Sequence, residues 1–517
     1  MSVLVLLLLC AVTFNRSFCC HDRDRTLLLI FKQGVVDPSN RLSSWSSTNQ
    51  HCCEWQGVIC DPYTSRVQQL DLQNYNYMES GSESLKGEIN LSSLLALEFL
   101  EELDLSRNDF ERINTPSINT SVVSRTLLPA NISLLHHLDL SQNMHNLRVD
   151  NLHYWLSQLP SLTYLDLSGI HLPCEMKWVQ SLALLPLEAL YLRDCNLTSS
   201  ILSMAHANFS SLLYVDLSLN DFTYGLPNWL FNLSNDLSNL QLGHCSLRGP
   251  FPDLSGYRKL QNLDLSSNKL KGSIPDWLGQ RDGLIGLDLS NNSFQSSIPS
   301  NLLNASSLAI LNISFNDLSG TLPKNLDLDQ RHFEILDLSH NSISGDISNM
   351  LLDGGYILMS FNKFKGRLPR ISEHVIALEL AHNSFSGSLS SLLCDPDPRN
   401  KYMLVYLDIS NNYLVEELPE CWSSWASLSY IYLGNNQMVG QVPPRMGSSF
   451  SHLRALDLQN NGFSGHVPST FCHCTSLVFI NLEGNNFSGN IPSWPQNISV
   501  CEAEIQSIYR HFSSPAL

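Results

Sequence analysis

A solenoid of stacked coils is the fold class this 517-residue sequence predicts, on three observations. The segment Leu263-Asp-Leu-Ser-Ser-Asn268-Lys-Leu-Lys-Gly272-Ser-Ile-Pro275 reads L-x-L-x-x-N-x-L-x-G-x-I-P, and its asparagine returns at Asn292, Asn316, Asn341, Asn362, Asn383, Asn412, Asn436, Asn461 and Asn485. Most steps are 24 or 25 residues, with outliers of 21 and 29. Apolar residues make up 43% of the chain and charged residues only 15%, which suits a leucine column buried along its length. A phrase and period of this kind mark a leucine-rich-repeat solenoid, of the α/β class, which grows by stacking and needs no central core.

The first element, residues 1–19, opens with the apolar stretch Met1 to Phe14 and reads as a signal peptide, although no Lys or Arg precedes that stretch. Eleven N-x-S/T sequons follow, at Asn90, Asn119, Asn131, Asn196, Asn208, Asn232, Asn291, Asn304, Asn312, Asn486 and Asn497. With fourteen cysteines, they point to an exported glycoprotein in an oxidising compartment. No later run is apolar enough to span a bilayer. A net charge of −18 disfavours nucleic acid and anionic membrane surfaces as partners.

Residues 20–69 form the expected N-terminal cap: Cys20, a helical Thr26–Lys32, Leu42-Ser-Ser-Trp45, then Cys52-Cys53-Glu-Trp55 and Cys60. Zinc with His51 is the rival reading of those cysteines, and export favours disulfides. Residues 70–495 hold about sixteen repeats, roughly 75 Å of stacked strands at about 4.8 Å each. The first strand is Leu70-Asp-Leu72, with weaker ladder positions at Asn108, Asn143, Ile170, Cys195, Asn220 and Cys245. Two over-long steps place looped-out segments near 76–100 and 111–133. Each L-x-L is a strand with leucines inward, and the asparagine amide bridges backbone groups in a buried bend. Gly320, Gly440 and Gly465 supply backbone angles closed to other residues, and Pro323, Pro443 and Pro468 fix the exit turn. Cys394 and Cys421 flank the strand at Leu407 and are placed to form a disulfide. Cys472-His473-Cys474 offers too few ligands for a metal site. The pattern dissolves after Pro492, leaving 496–517 as a non-repeat tail, expected to follow from a truncated gene model or splice form or else to fold over the last coil.

The cap, with Asp150-Asn-Leu-His-Tyr-Trp155, Pro227-Asn-Trp-Leu-Phe-Asn232 and Leu418-Pro-Glu-Cys421-Trp422, resembles the plant leucine-rich-repeat receptor-like proteins, most of all the receptors for fungal xylanase elicitor. That resemblance implies a curved superhelix of the plant extracellular type with a parallel sheet on its concave face. It also implies the pairs Cys20–Cys52 and Cys53–Cys60. In function it implies an ectodomain for plant defence signalling that binds a microbial or plant protein, peptide or glycan. The family pairs with a co-receptor kinase and sits in the plasma membrane through a single helix; the matching stretches are not found here, so the chain as written reads as secreted.

Ligand contact is expected on the concave face. The row Asp104, Asp139, Asp166, Asp216, Asp264, Asp288, Asp337, Asp408 and Asp457 imitates catalytic carboxylate pairs, but its regularity argues for a structural role. The candidate ligand-binding residues are Tyr164, Tyr191, Arg193 and Tyr214 in one group and Tyr406, Tyr430, Tyr432 and Phe479 in another, since Tyr and Arg are favoured at hot spots. A glycan on Asn312 would stand between the two groups. No cofactor motif, kinase signature or G-x-S-x-G elbow is present, so no enzyme is expected. The alternative function is a secreted inhibitor or decoy of a microbial cell-wall-degrading enzyme.

Overall fold

The computed structural model describes residues 20–76, 83–114, 134–143, 147–172, 177–199, 209–323, 333–394 and 402–489. It divides into two compact units, one running to Arg248 with Asp253–Leu260, the other comprising Gly249–Pro252 and the chain from Gln261.

In the first unit, helix Asp22–Gln33 carries the cap. Its buried apolar face is Leu27, Leu28 and Phe31; Phe31 tilts against Trp45 with centroids 6.2 Å apart, and Trp45 stacks on Trp55 at 5.5 Å. Buried Asp24 accepts from the Arg66 guanidinium at 2.9 and 3.0 Å and from the Val67 amide at 3.1 Å, tying the helix to the first repeat strand. Cys20 is bonded to Cys52 and Cys53 to Cys60. The Cys20, Cys52 and Cys53 sulfurs cluster within 4.8 Å, but all three are held in those bonds.

From the cap, Val58–Cys60 runs antiparallel to Val67–Asp71, and there the sheet turns parallel: Glu102–Asp104, His137–Asp139, Tyr164–Asp166, Ala189–Tyr191, Tyr214–Asp216 and Asn239–Gln241 follow in order. The second unit repeats the arrangement over ten strands, from Asn262–Asp264 to Phe479–Asn481. Register is constant there: Leu263, Leu287, Leu311, Leu336, Ile357, Leu378, Leu407, Ile431, Leu456 and Ile480 oppose one another in a single inward column. Because side chains alternate across a strand, that register lines the residues on either side into outward rows. Short helical turns such as Leu152–Leu156, Ser300–Leu303 and Pro444–Ser449 return the chain between strands.

The ladder asparagines bind as their chemistry requires. Asn316 Nδ2 donates to the carbonyls of Ile313 and Ser314 in its own coil and of Leu289 in the preceding one, at 3.2, 3.0 and 3.0 Å, while Oδ1 accepts from the Phe294 amide at 2.9 Å. The same four-bond pattern holds at Asn341, Asn383, Asn412 and Asn436. Cys195 and Cys245 take over the donor role, each thiol reaching the preceding coil's carbonyl at 3.2 Å. Burial pushes the Cys195 thiol well above the usual range, so it stays protonated.

One feature departs from the sequence reading and two lie outside it. Residues 86–95, expected inside a looped-out segment, form the strand Lys86–Asn90 and the helical turn Leu91–Leu95; residues 77–82 and 115–133 lie outside the described residues. The first coil has no ladder asparagine, and Tyr75 at that position is exposed, its hydroxyl bonded to Asp71. Arg41 from the cap supplies the missing donors, giving to Leu72 O at 2.9 Å, Gln73 O at 2.7 Å and Asn108 Oδ1 at 2.9 Å. Finally, the residue before the ladder position lies in the left-handed region in coil after coil, with φ between 48° and 56° at Arg107, Gln142, Asp194, Leu219, His244, Ser267, Asn291, Phe315, His340, Phe361, His382, Asn411, Asn435 and Asn460. Left-handed backbone costs roughly 1–2 kcal/mol per non-glycine residue, and the ladder bonds beside it offset that cost.

Candidate functional site

The outward face of the parallel sheet is built from three rows: the residue before the first inward leucine, the residue between the leucines and the residue after. The middle row is largely aspartate, and the geometry shows what it does. Asp104, Asp139, Asp166, Asp216 and Asp288 each accept, through Oδ1, the amide of the residue two places on at 2.8 Å. The same bond closes Asp264, Asp337, Asp408 and Asp457. Each carboxylate therefore fastens the end of its own strand. Crowding on the sheet has an electrostatic consequence: burial, then the neighbouring Asp166, drive the Asp139 carboxyl up to about 7. Burial alone is the leading cause of rises to about 6 at Asp166 and Asp288.

The first tyrosine group lies within the first unit. Tyr164 stacks on His137 with centroids 4.0 Å apart and planes 8° apart, and tilts against Tyr191 at 5.3 Å. Tyr164 and Tyr191 are half-buried, whereas Tyr214 on the next strand is 42% exposed. Tyr191 occupies a position in the aspartate row, between Asp166 and Asp216 in register. Burial, then these aspartates, hold its phenol above the ordinary range, so it remains a hydrogen-bond donor. Arg193 extends from the same coil and donates to Ser218 Oγ at 3.0 Å. His137 belongs to this cluster and was not singled out from the sequence; reading the strand-entry row would have found it.

The second group lies in the second unit. Tyr406 sits 5.9 Å from Tyr430 and 5.6 Å from Tyr432. Phe479 is two strands beyond Tyr430, with buried Ala455 between them in register, so the small side chain leaves a low floor between two rings. Tyr356 and Leu358 share this outward face and are half-exposed, adding apolar surface that the sequence reading passed over. Cys394 is bonded to Cys421, bracketing the Tyr406–Asp408 strand.

Other expected sites divide by geometry. Cys472 is exposed, buried Cys474 donates to Gly447 O at 3.3 Å, and His473 Nδ1 meets Thr470 O at 3.0 Å, so the three do not converge. Among the sequons, Asn196, Asn232, Asn291, Asn304 and Asn486 are exposed. Asn312 is half-buried, its amide donating to Asp288 Oδ2 at 3.1 Å and accepting from Ser314 Oγ at 2.7 Å. Asn90 caps the turn Leu91–Leu95. Asn119, Asn131, Asn208 and Asn497 lie outside the described residues.

Residues 21–61 match the leucine rich repeat N-terminal domain family, and 259–280, 283–305, 332–353, 403–425, 452–474 and 476–498 match the Leucine Rich Repeat family. The chain is 34% identical over 264 residues to the tomato (Solanum lycopersicum) receptor-like protein EIX1, covering 46% of this chain and 25% of that protein. It is 27% identical over 256 residues to tomato receptor-like protein EIX2, with the same coverage of 46% and 25%. The chain thus spans about a quarter of the length of these relatives. Among solved structures, the Arabidopsis receptor kinase HAESA ectodomain in complex with an IDA peptide hormone matches at TM-score 0.50 and 25% identity, covering 93% of this chain and 92% of that one. PEPR1–AtPEP1 matches in fold at TM-score 0.59 and 22% identity, covering 93% and 75%.

Proposed function

The chain is a leucine-rich-repeat protein similar to plant receptor-like proteins, and from that premise we propose that it is an extracellular recognition ectodomain of plant defence signalling, binding a microbial or plant protein or peptide on the outward face of its parallel sheet. The observation that carries the reading is the grouping of tyrosines on adjacent strands: Tyr164 with Tyr191, and Tyr406 with Tyr430 and Tyr432. Rings fixed by strand register and by one another lose little entropy when a ligand covers them, and such aromatics dominate binding energy at protein interfaces. Beneath the second group the ladder amides of Asn412 and Asn436 are bonded both as donors and as acceptors, so that surface is preorganised.

The HAESA ectodomain, which binds a peptide hormone, shares this fold. Exposed sequons at Asn232, Asn304 and Asn486 support a glycosylated extracellular chain. Among the described residues no helix is long and apolar enough to cross a membrane; attachment to the plasma membrane and pairing with a co-receptor kinase rest on the receptor-like resemblance.

The test is direct binding of the purified chain to a fungal xylanase and to a pectinase, with Tyr164→Ala/Tyr191→Ala and Tyr406→Ala/Tyr430→Ala beside the parent. Loss of a hot-spot pair should weaken binding by at least about thirtyfold, the equivalent of 2 kcal/mol. Equal affinity in both double variants would remove the tyrosine face from the proposal.

A further inference from the structure

Beside the outward face, the second unit carries a row of side chains that neither the aspartates nor the tyrosine groups use. Phe315, His340, Phe361 and His382 occupy the left-handed position before the ladder asparagine in four successive coils. Their rings stack face to face from coil to coil, with centroids 4.0, 4.1 and 4.0 Å apart and planes within 14° of parallel. A stack of this kind leaves a bare face at its end. Phe315 lies on His340 with one face and turns the other towards the preceding coil, and it is 53% exposed. The face of an aromatic ring is apolar and carries the negative part of its quadrupole, so it suits a flat partner that presents C–H groups.

A second, independent observation identifies what stands against that face. The residue before Phe315 in the same row is Asn291, the asparagine of the sequon Asn291-Asn292-Ser293. The row also holds asparagines at 411, 435 and 460, and none of these is followed two places on by serine or threonine. Asn291 and Phe315 leave the backbone alike, with φ of 53° and 51°. Their coils are joined by the Asn291 amide donating to Ser314 O at 2.9 Å and the Asn292 amide to Phe315 O at 3.1 Å, so the two side chains run outward together. Asn291 is exposed, and its Nδ2 gives a hydrogen to Ser267 Oγ at 3.2 Å, in the coil on the other side from Phe315. The second Nδ2 hydrogen is the one that a glycan would replace.

We propose that Asn291 carries an N-linked glycan whose first N-acetylglucosamine lies flat on the bare face of Phe315, adding one more ring to the stack and holding the two coils together. The inference rests on the reading of the chain as an exported glycoprotein, and goes beyond it by giving this sugar a seat on the protein. In the attachment, Asn291 Nδ2 forms a bond to C1 of the sugar as the C1–O bond to a lipid-linked diphosphate donor breaks. The diphosphate leaves with the electron pair, and Nδ2 gives up one proton. The N–H that remains keeps the bond to Ser267, which fixes the direction in which C1 points. An asparagine side chain is shorter than a phenylalanine, so a sugar on its nitrogen sits level with the outer part of the neighbouring ring. The pyranose of a β-linked N-acetylglucosamine holds its substituents equatorial and its C–H bonds axial, and those C–H groups meet the negative ring face.

The experiment uses the full chain made in plant cells whose glycans are kept high-mannose. Site occupancy is read by peptide mass spectrometry, and the pairing of the two coils by hydrogen exchange of the Asn291 and Asn292 amides. Asn291 should be occupied, and those amides should exchange about three- to tenfold more slowly than in Ser293→Ala, which removes the sequon and keeps Asn291. Trimming the glycan to its first sugar with an endoglycosidase should preserve the slowing. In Phe315→Asn, which keeps a residue at home in left-handed backbone, the glycan should still be attached but Ser293→Ala should no longer alter exchange. The inference is overturned by equal exchange in the parent and Ser293→Ala, by a slowing that is lost on trimming or survives in Phe315→Asn, or by an empty Asn291 beside an occupied sequon elsewhere; in each case the exported reading stands. A chain with no glycan at any sequon would overturn both.

Discussion

Replacing Asn383 tests the energetic argument for the whole stack. Its amide donates to Met359 O at 3.0 Å and to Leu380 O and Ala381 O at 3.2 Å each, and accepts the Phe364 amide at 3.0 Å, with the side chain only 7% exposed. Asn383→Leu keeps the volume and removes all four bonds. Leaving the buried Phe364 N–H without an acceptor costs about 1–3 kcal/mol, and three lost donor bonds cost about 0.5–1.5 kcal/mol each. Partial relaxation of the bend returns some of this, so the expected loss is about 3–5 kcal/mol. Asn383→Cys should lose about half as much, because a thiol can give to the preceding carbonyl as Cys195 does to Leu167. Asn383→Asp should be at least as damaging as leucine, since a carboxylate would face three carbonyls. Because stacked repeats open locally, the measurement is native-state hydrogen exchange of the Phe364 and Phe385 amides, with the exposed neighbour change Ser384→Ala as the comparison. If Asn383→Leu raised exchange by less than tenfold, or ranked with cysteine, the ladder would not be what stabilises the coils.

Two other outcomes follow from the same structure. Arg41→Met removes the guanidinium that gives to Leu72 O, Gln73 O and Asn108 Oδ1; the first coil should lose about 3 kcal/mol, read as early urea unfolding of the cap with the later coils unchanged. Acidity should stabilise the first unit. The Asp139 carboxyl is raised by burial and Asp166 to about 7, and Asp166 by burial to about 6, against about 3.9 unfolded. The folded form therefore binds more protons between pH 4 and 7. The penalty is absent below pH 4, grows through that window and is complete above it, so stability falls as pH rises. The unfolding free energy at pH 5 should exceed that at pH 8, by the order of 1–3 kcal/mol, read from urea unfolding at the two pH values, and Asp139→Asn should flatten the difference while keeping the Ser141 bond.

Much of the fold was legible because its determinants recur in the chain at fixed intervals. The inward column and the asparagine ladder are visible in L-x-L-x-x-N, since each repeat must solve the same burial and hydrogen-bonding problem with nearly the same residues. Arg41 was not legible: it acts on carbonyls 31 and 32 residues further on, from a cap with its own pattern. The left-handed residues were hidden for a different reason. Arg107, Leu219, Phe315 and His382 share a backbone angle but no side-chain chemistry, and only the asparagines at 291, 411, 435 and 460 hint at it. The tyrosine groups were found from strand alternation, whereas the four-ring pile needed the position before the ladder to be read as a row.

The recurring positive-φ residue also has an evolutionary consequence. The bend holds its shape through the asparagine beside it, so the preceding side chain is released from any duty in folding while its direction is dictated afresh in every coil. Phenylalanine, histidine, leucine, arginine and aspartate all occupy it. Single-codon changes in adjacent units therefore land in line, and a lineage can write, erase or lengthen a strip of chosen chemistry without renegotiating the scaffold beneath.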